Sequence, residues 1–295
     1  MANRTRAAAE NVAGSFFVDD TCIDCDTCRQ VAPLTFVDAG GHSVVHVQPE
    51  DPAALRAAAR ALLCCPTNSI GSAHPDLVKQ AQSELPEVIT DGIWYCGWTS
   101  RRSFGASSYL VRANDGGLWM VDAPRWAPSL VAAIERLGGL AGIFLTHRDD
   151  VADAPQYAKY FRAPMVIHER DVDAAPMAER IITGDATTSL APGLTIISLP
   201  GHTAGSQGLL RDDGTLFSGD HVWWSRRIAG LNASREVCWH SWEEQTTSMR
   251  RLCELRFDRL LPGHGQRAYL PDGRMRQEVE ALITRMERRE PDAWP

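Results

Sequence analysis

Three cysteines, Cys22, Cys25 and Cys28, are separated from one another by two residues each in the stretch TCIDCDTC. A fourth candidate, Cys65, lies far downstream and directly precedes Pro66. Thiolates spaced in this way on one loop can each ligate one iron of a cubane cluster, and the fourth iron then needs a sulfur from elsewhere in the chain. Structural zinc sites more often combine two separated pairs of ligands, so zinc is the less suitable alternative. The spacing therefore predicts one [4Fe-4S] cluster with Cys22, Cys25, Cys28 and Cys65 as ligands.

The segments around these cysteines predict a small α+β domain. Residues 14–20 and 42–47 are rich in β-branched and aromatic side chains and are typical of short strands. Residues 51–63 are rich in Ala, Leu and Arg, with Asp51 placed as the N-cap of a helix and Pro52 at its first position.

This arrangement resembles a single-cluster [4Fe-4S] ferredoxin domain over residues 14–75. In two-cluster ferredoxins a further Cys-Pro follows the third cysteine, and Ala32-Pro33 stands there in this chain, so the resemblance implies one cluster only. Cys64 is expected to be a buried neighbour of the ligand Cys65 rather than a ligand itself.

Imidazole and carboxylate groups follow several predicted strands in the rest of the chain. His147 comes after a buried apolar strand, and His202, Asp220 and His264 each stand in a Gly-containing turn after a strand. Strands alternate with helices from residue 90 onward, which favours a layered α/β domain with its site at one sheet edge. Such side chains suit zinc, iron and manganese.

The motifs Gly-His202-Thr-x-Gly-Ser206, Phe-Ser-Gly-Asp220 and Leu-Pro-Gly-His264-Gly occur in this order after Thr-His147. In these motifs the chain resembles the metallo-β-lactamase superfamily. The resemblance implies an αββα sandwich over residues 90–295. It also implies that His147 and His202 ligate a first metal, that His264 ligates a second, and that Asp220 bridges the two.

The first motif departs from the pattern Thr-His-x-His-x-Asp-His of this superfamily. Asp149 replaces the second histidine, and Val151-Ala152 stand where the Asp-His pair is expected. In a ferredoxin-bearing branch with a longer spacing Asp153 fits, but Ala154 replaces the final histidine. At least one ligand of the second metal is therefore missing.

We expect one tightly bound divalent ion, or two with unequal affinity, and the ion is iron or zinc. The predicted metal ligands are His147, Asp149, Asp153, His202, Asp220 and His264.

The ferredoxin resemblance favours a redox enzyme, because plain hydrolysis needs no electron carrier. The cluster would supply electrons to an iron centre acting on a small-molecule substrate, with an electron-donating reductase as a partner. The alternative is a glyoxalase II-like hydrolase of a thioester, lactone or ester, in which Asp220 or Asp149 handles protons and the cluster is structural or sensing. A third interpretation is a degenerate site kept for binding. His221 adjoins Asp220 and is a further candidate for contact with substrate.

Composition sets the remaining expectations. The chain has 295 residues and a net charge of −7 without a Lys/Arg run, which argues against nucleic-acid binding. It has neither an apolar span long enough for a membrane nor the apolar core of a secretory signal, so a cytoplasmic location is expected. Residues 1–13 are predicted to be a flexible terminus and residues 76–89 a polar linker.

Overall fold

The computed structural model describes residues 2–290. It divides into two compact units, the first formed by residues up to 110 together with 123–139, the second by residues 111–122 together with the chain from 140. Met1 and residues 291–295, the outer ends of the predicted first and last domains, lie outside the described residues.

The first unit contains most of the short elements of the N-terminal third. Its helices and strands are α1 (Thr27–Val31), α2 (Pro52–Cys64), α3 (Pro75–Ser83), α4 (Pro128–Arg136), β1 (Phe16–Val18), β2 (Phe36–Asp38), β3 (Ser43–Val45), β4 (Ile70–Ser72), β5 (Glu87–Thr90) and β6 (Ile93–Tyr95). Strand β7 (Tyr109–Arg112) spans the boundary between the units.

The predicted ferredoxin-like elements are present. β1 pairs antiparallel with β4, and β2 pairs antiparallel with β3. Helix α2 starts after Asp51, whose carboxylate accepts hydrogen bonds from the backbone N–H groups of Ala53 and Ala54 at 2.9 Å each, so the predicted N-cap is confirmed. Phe16 and Phe36 are buried in the core of this part.

The structure differs from the sequence prediction at the polar linker. Residues 75–83 form helix α3, which packs against α2. Pro75 occupies its first turn, and Ala81 is buried while Leu77, four residues earlier, packs against the ferredoxin-like core. The narrow apolar face of this helix is hidden among polar residues, which is why the sequence suggested a linker.

The N-terminal residues contain a 3-10 turn over Arg4–Arg6, and the Asn11 side chain bonds the backbone of Val18 and Val45. The flexibility expected there remains a prediction.

The strands and helices of the second unit are β8 (Leu118–Val121), β9 (Gly142–Phe144), β10 (Met165–His168), β11 (Arg180–Ile182), β12 (Thr188–Ala191), β13 (Leu194–Ser198), β14 (Gln207–Arg211), β15 (Thr215–Gly219), β16 (Trp223–Ser225), β17 (Gly230–Asn232), β18 (Arg259–Pro262), β19 (Ala268–Tyr269), α5 (Ala154–Phe161), α6 (Trp242–Leu252) and α7 (Arg274–Arg288). The described strands of this unit belong to a seven-stranded sheet, a six-stranded sheet and the two-stranded sheet β16-β17.

Strands β8, β9, β10 and β11 are neighbours in this order and run parallel. The other sheet has the order β12-β13-β14-β15-β18-β19, and its β15 and β18 are parallel. Since β13 and β15 are both antiparallel to β14, the carboxyl ends of β13, β15 and β18 reach the same edge of the sheet. This register brings the loops that follow these three strands together.

Helices cover the sheets of the second unit. α5 packs against β9 and β10, while α6 and α7 pack against each other. Ser241 caps α6 by accepting a hydrogen bond from the Glu244 N–H at 3.2 Å. The apolar faces of α6 and α7 share one core with the six-stranded sheet, formed among others by Leu216, Leu260, Met249, Leu252, Val279 and Leu282. Two sheets with outer helices match the predicted αββα arrangement.

Within residues 2–290 we find no helix that combines the length and the apolar character needed to cross a lipid bilayer.

Candidate metal centre

The four predicted cluster cysteines line one enclosed cavity in the first unit. Asp24 and Asp26 take left-handed backbone conformations, with φ of 60° and 64°, and Arg29 donates hydrogen bonds to both carboxylates. Aspartate tolerates this conformation better than most residues. The resulting tight turns bring Cys22, Cys25 and Cys28 to the same cavity as Cys65.

Backbone N–H groups point at two of these sulfurs. The Ser43 N–H donates to Cys22 Sγ at 3.4 Å, and the Ser69 N–H donates to Cys65 Sγ at 3.2 Å. The Thr27 hydroxyl lies 3.4 Å from Cys25 Sγ. Such bonds stabilise negative charge on sulfur and are one of the ways in which a protein sets the potential of an iron–sulfur cluster.

Burial in this cavity raises the pKa of the Cys25 thiol to about 12 and that of the Cys28 thiol well above its usual range. Buried thiols become thiolates when a metal binds them. The enclosed cavity, four sulfurs and inward donors fit a cubane cluster. Cys64 Sγ lies away from this cavity, close to Gly97, as expected for a neighbour and not a ligand.

The second group of candidate ligands lies in the second unit, where each side chain follows the end of a strand. His147 follows β9, His202 follows β13, Asp220 follows β15 and His264 follows β18. A 3-10 turn over 148–150 places Asp149 beside them. The register of the six-stranded sheet therefore holds His202, Asp220 and His264 at one place, and the end of β9 in the other sheet adds His147.

The distances within this group suit a shared ion. Asp220 Oδ2 lies 3.5 Å from His147 Nε2, 3.7 Å from His202 Nε2 and 3.7 Å from His264 Nε2. Asp149 Oδ2 lies 3.3 Å from His202 Nε2 and 3.7 Å from His147 Nε2. Two ligand atoms bound to one metal at about 2.1 Å with tetrahedral angles are about 3.4 Å apart.

Several of these atoms have no hydrogen-bond partner among the described residues although they are buried. They are His147 Nε2, His202 Nε2, Asp149 Oδ2, Asp220 Oδ1 and both carboxylate oxygens of Asp150. A buried polar atom without a partner costs about 1–3 kcal/mol, so a cluster of them needs a compensating ligand. A divalent cation satisfies imidazole lone pairs and carboxylates together.

Asp150 is the ligand candidate that the sequence analysis missed. It is 1% exposed, and His147, Asp150 and Asp220 each offer a ligand atom within 4.8 Å of the others, as His147, Asp149 and His202 also do. Sequence alone gives two adjacent aspartates, and only the 3-10 turn shows that the second one points inward. Two overlapping ligand groups therefore share His147.

A chain of hydrogen bonds fixes which nitrogen of His147 faces the ligand cluster. The Thr146 hydroxyl donates to the buried Asp122 carboxylate at 2.9 Å and therefore accepts from His147 Nδ1–H at 2.9 Å. Nδ1 thereby stays protonated, and Nε2 is the nitrogen that can bind a metal once it releases its own proton. Asp122 itself follows β8 at the same sheet edge and is 3% exposed.

Asp171 joins the two loops that carry histidines. Its carboxylate accepts hydrogen bonds from the Arg148 N–H at 3.2 Å, the Thr203 hydroxyl at 2.5 Å and the Gly205 N–H at 3.3 Å. Asp171 is fully buried. Since Arg148 follows His147 and Thr203 follows His202, this one carboxylate holds both ligands in register.

The electrostatics of the group call for a cation. Burial opposes protonation of His147, but Asp150 and Asp220 outweigh it and raise its pKa to about 10. Burial would raise the pKa of Asp220, but His264, His147 and His202 hold it well below its usual range. Burial and the neighbouring Asp220 raise the pKa of Asp150 well above its usual range.

Three predicted site residues belong to neither ligand group among the described residues: Asp153, His221 and His264, although His264 Nε2 lies 3.7 Å from Asp220 Oδ2. Asp153 occupies the N-cap position of α5. His221 is 1% exposed, its Nε2 lies 3.5 Å from the Ser248 hydroxyl, and burial lowers its pKa to about 3. The proposed roles of these three residues remain predictions.

An exposed tryptophan lies beside the centre. Trp239 is 65% exposed, and its ring centroid is 6.4 Å from that of His202. The N–H groups of Trp239 and His240 donate to the His202 carbonyl at 2.9 and 3.1 Å, which fixes the loop. An indole in this position offers an apolar wall next to the candidate metal.

Comparison with known proteins agrees with both parts. Residues 18–72 match the family described as the 4Fe-4S single cluster domain of Ferredoxin I. No curated protein is similar in sequence to this chain.

Solved structures of metallo-β-lactamases resemble the larger part. DIM-1 metallo-β-lactamase aligns with a TM-score of 0.52 and 16% identity over 67% of this chain and 95% of that chain. VMB-1 aligns with a TM-score of 0.51 and 16% identity over the same shares, and TMB-1 with 0.51 and 16% over 68% and 97%. At these identities the likeness shows the fold alone. The chain thus combines a single-cluster ferredoxin domain with a metallo-β-lactamase fold.

Proposed function

We propose that this protein is a metal-dependent oxidoreductase in which the iron–sulfur cluster supplies electrons to an iron ion held by His147, Asp149 and His202. The observation that carries the proposal is this buried group of two imidazoles and one carboxylate, with ligand atoms left without partners, in a chain that also has a ferredoxin domain. A hydrolytic centre has no use for a one-electron carrier.

The donor set suits iron(II). Two histidines and one carboxylate with open positions are the arrangement that non-haem iron(II) enzymes use, and the metal then supplies one-electron chemistry at an exchangeable position. Asp149 stands where the superfamily motif has a histidine, so a hard oxygen replaces a nitrogen. Two histidines and one carboxylate also bind catalytic zinc, so the preference for iron rests on the ferredoxin domain.

The surrounding side chains have distinct roles in this proposal. Asp220 stays ionised because three histidines surround it, and it balances the charge of the bound ion. The side chain of Asp149 is 41% exposed while its Oδ2 is buried against the histidines, so this carboxylate connects the centre with solvent and passes protons. Trp239 would contact an apolar part of a small-molecule substrate.

Asp150 and His264 extend the group around Asp220 and provide for a second ion of lower affinity. Asp150 thereby takes the place of the ligands that Val151 and Ala152 cannot provide.

The unpartnered buried atoms argue against the degenerate interpretation. A site that no longer binds metal would gain stability by pairing or losing these polar groups, since each costs about 1–3 kcal/mol. The titration and the turnover measurement described next distinguish the hydrolase alternative from the redox proposal.

A reductive titration tests the proposal. The mononuclear iron is first brought to the ferric state with a mild oxidant, the oxidant is removed, and the protein is titrated with dithionite without oxygen. Electrons taken up per chain are counted together with the cluster signal in electron paramagnetic resonance. We expect the wild type to take up electrons beyond the single one that the cluster accepts. His202→Ala should take up only the cluster electron.

Asp185→Asn serves as the control, because this carboxylate bonds Ser198 and Arg170 and no candidate ligand. Equal uptake by the wild type and His202→Ala would refute the redox proposal. Turnover of a thioester that persists after cluster removal would establish the hydrolase instead.

A further inference from the structure

The carboxyl end of helix α2 leads directly into the cluster ligand Cys65. The last carbonyl groups of a helix lack intrahelical partners and carry the negative end of the helix dipole, equivalent to about half an elementary charge. The Cys65 N–H bonds the Ala61 and Leu62 carbonyls, which leaves the carbonyls of Leu63 and Cys64 at this end. The carbonyl of the cap residue Cys65 follows them and also accepts a hydrogen bond from the Asn68 N–H. An extra electron on a cluster bound by Cys65 would be repelled by this negative end.

All three carbonyl groups are bound by side chains from later parts of the first unit. Arg125 donates from Nη1 to the Cys65 carbonyl at 2.8 Å and from Nη2 to the Leu63 carbonyl at 2.7 Å. The Thr99 hydroxyl donates to the Cys64 carbonyl at 2.5 Å.

The guanidinium group is held in place from a second side. Nη1 of Arg125 also donates to the Thr99 carbonyl at 2.8 Å, and its Cζ atom lies 5.4 Å from the ring centroid of Trp98. Arginine remains charged at any physiological pH, and its planar fork suits two neighbouring carbonyl acceptors. A fixed positive charge therefore stands at the negative end of α2.

We propose that Arg125 is a positioning residue of the iron–sulfur cluster that raises its reduction potential by compensating the negative end of α2. Reduction adds one electron, delivered by an external donor, and no bond to the Cys65 sulfur changes. The reduced state carries one more negative charge, so a nearby cation stabilises it relative to the oxidised state. Ser43 and Ser69 act on sulfur directly, whereas Arg125 acts through the Cys65 backbone.

The inference rests on the cluster of the ferredoxin domain and not on the chemistry of the second metal centre. Loss of His202 leaves the contacts of Arg125 intact, and loss of Arg125 leaves the histidine–carboxylate group intact. The two proposals can therefore fail separately.

The test compares midpoint potentials of the full-length protein, measured by mediated redox titration, with iron and labile sulfide determined for every sample. For Arg125→Gln we expect a more negative potential. At the midpoint potential of the wild type, the ratio of reduced to oxidised cluster in the variant should be about tenfold lower. This ratio corresponds to a shift of about 59 mV in the midpoint potential of a one-electron couple. Arg125→Lys keeps the charge and should shift less. Arg101→Gln removes an exposed arginine of the same unit and should not shift the potential.

An Arg125→Gln protein that contains the full cluster and has the wild-type potential would overturn the proposal. Equal shifts in the Gln and Lys variants would also overturn it, because the charge of residue 125 would then not affect the potential. If Arg125→Gln does not retain the cluster, Arg125→Met decides the matter, because it also removes the charge. It should shift the potential downward, and an unchanged value would overturn the proposal.

Discussion

Replacing Asp171 with asparagine tests whether one buried carboxylate holds the two histidine loops together. Asparagine keeps the volume of the side chain but offers one oxygen and one NH2 group. The three groups that point at Asp171 come from Arg148, Thr203 and Gly205, and two of them are backbone N–H donors. The NH2 group must therefore face a donor, and the charge that strengthened all three bonds is lost.

The size of the effect follows from these contacts. A hydrogen bond to a charged group contributes about 1.5–3 kcal/mol, so we expect Asp171→Asn to lower the free energy of unfolding by about 2–3 kcal/mol. Loss of a residue that orients metal ligands typically costs 10–100-fold in metal affinity, which is about 1.4–2.7 kcal/mol. Both effects should appear in the same variant.

The assay is anaerobic titration of metal-depleted protein with ferrous iron in competition with a chelator, combined with thermal unfolding of the metal-free protein. Asp185→Asn is the matched control, because it makes the same chemical change at a partly exposed carboxylate that bonds Arg170 and Ser198. Its affinity should stay within about twofold of the wild type. A folded Asp171→Asn protein that binds iron with wild-type affinity would refute the role given to Asp171.

Three further predictions concern the same centre. Asp150→Asn mimics the neutral acid that the raised pKa of Asp150 favours, so the melting temperature of the metal-free protein should change by no more than about 2 °C. Added metal should stabilise this variant less than the wild type, and equal stabilisation would exclude Asp150 as a ligand. Metal at 100 times its dissociation constant should stabilise the wild type by about 2.7 kcal/mol, and an equal gain in His147→Ala, measured by calorimetry, would contradict the site. A paramagnetic metal should quench the fluorescence of Trp239, so Trp239→Phe should show a smaller metal-dependent loss of fluorescence than the wild type. The indole of Trp242 bonds the Met286 carbonyl instead, so Trp242→Phe should show the same loss as the wild type.

Local patterns sufficed for much of the fold. Asp51 and Pro52 mark the start of α2 because capping is decided within one helical turn. His202, Asp220 and His264 could be placed at strand ends because apolar runs stop just before them and Gly-containing turns follow.

The rest depends on contacts between residues distant in sequence. Asp171 looks like an ordinary surface aspartate in the stretch HERD, and only the fold brings it between two loops. The sequence does not show which of the two adjacent aspartates, Asp149 and Asp150, is buried, because a 3-10 turn decides this. Helix α3 was missed because its apolar face is narrow, with Leu77 and Ala81 among polar residues.

The metal content of protein purified without oxygen shows whether the histidine–carboxylate group binds an ion in addition to the cluster. Iron, zinc and labile sulfide are measured per chain for the wild type and for His202→Ala. We expect iron in excess of the four atoms of the cluster in the wild type, and loss of this excess with unchanged sulfide in the variant. The same metal content in both proteins would contradict this expectation, because His147, Asp149 and His202 would then not hold an ion.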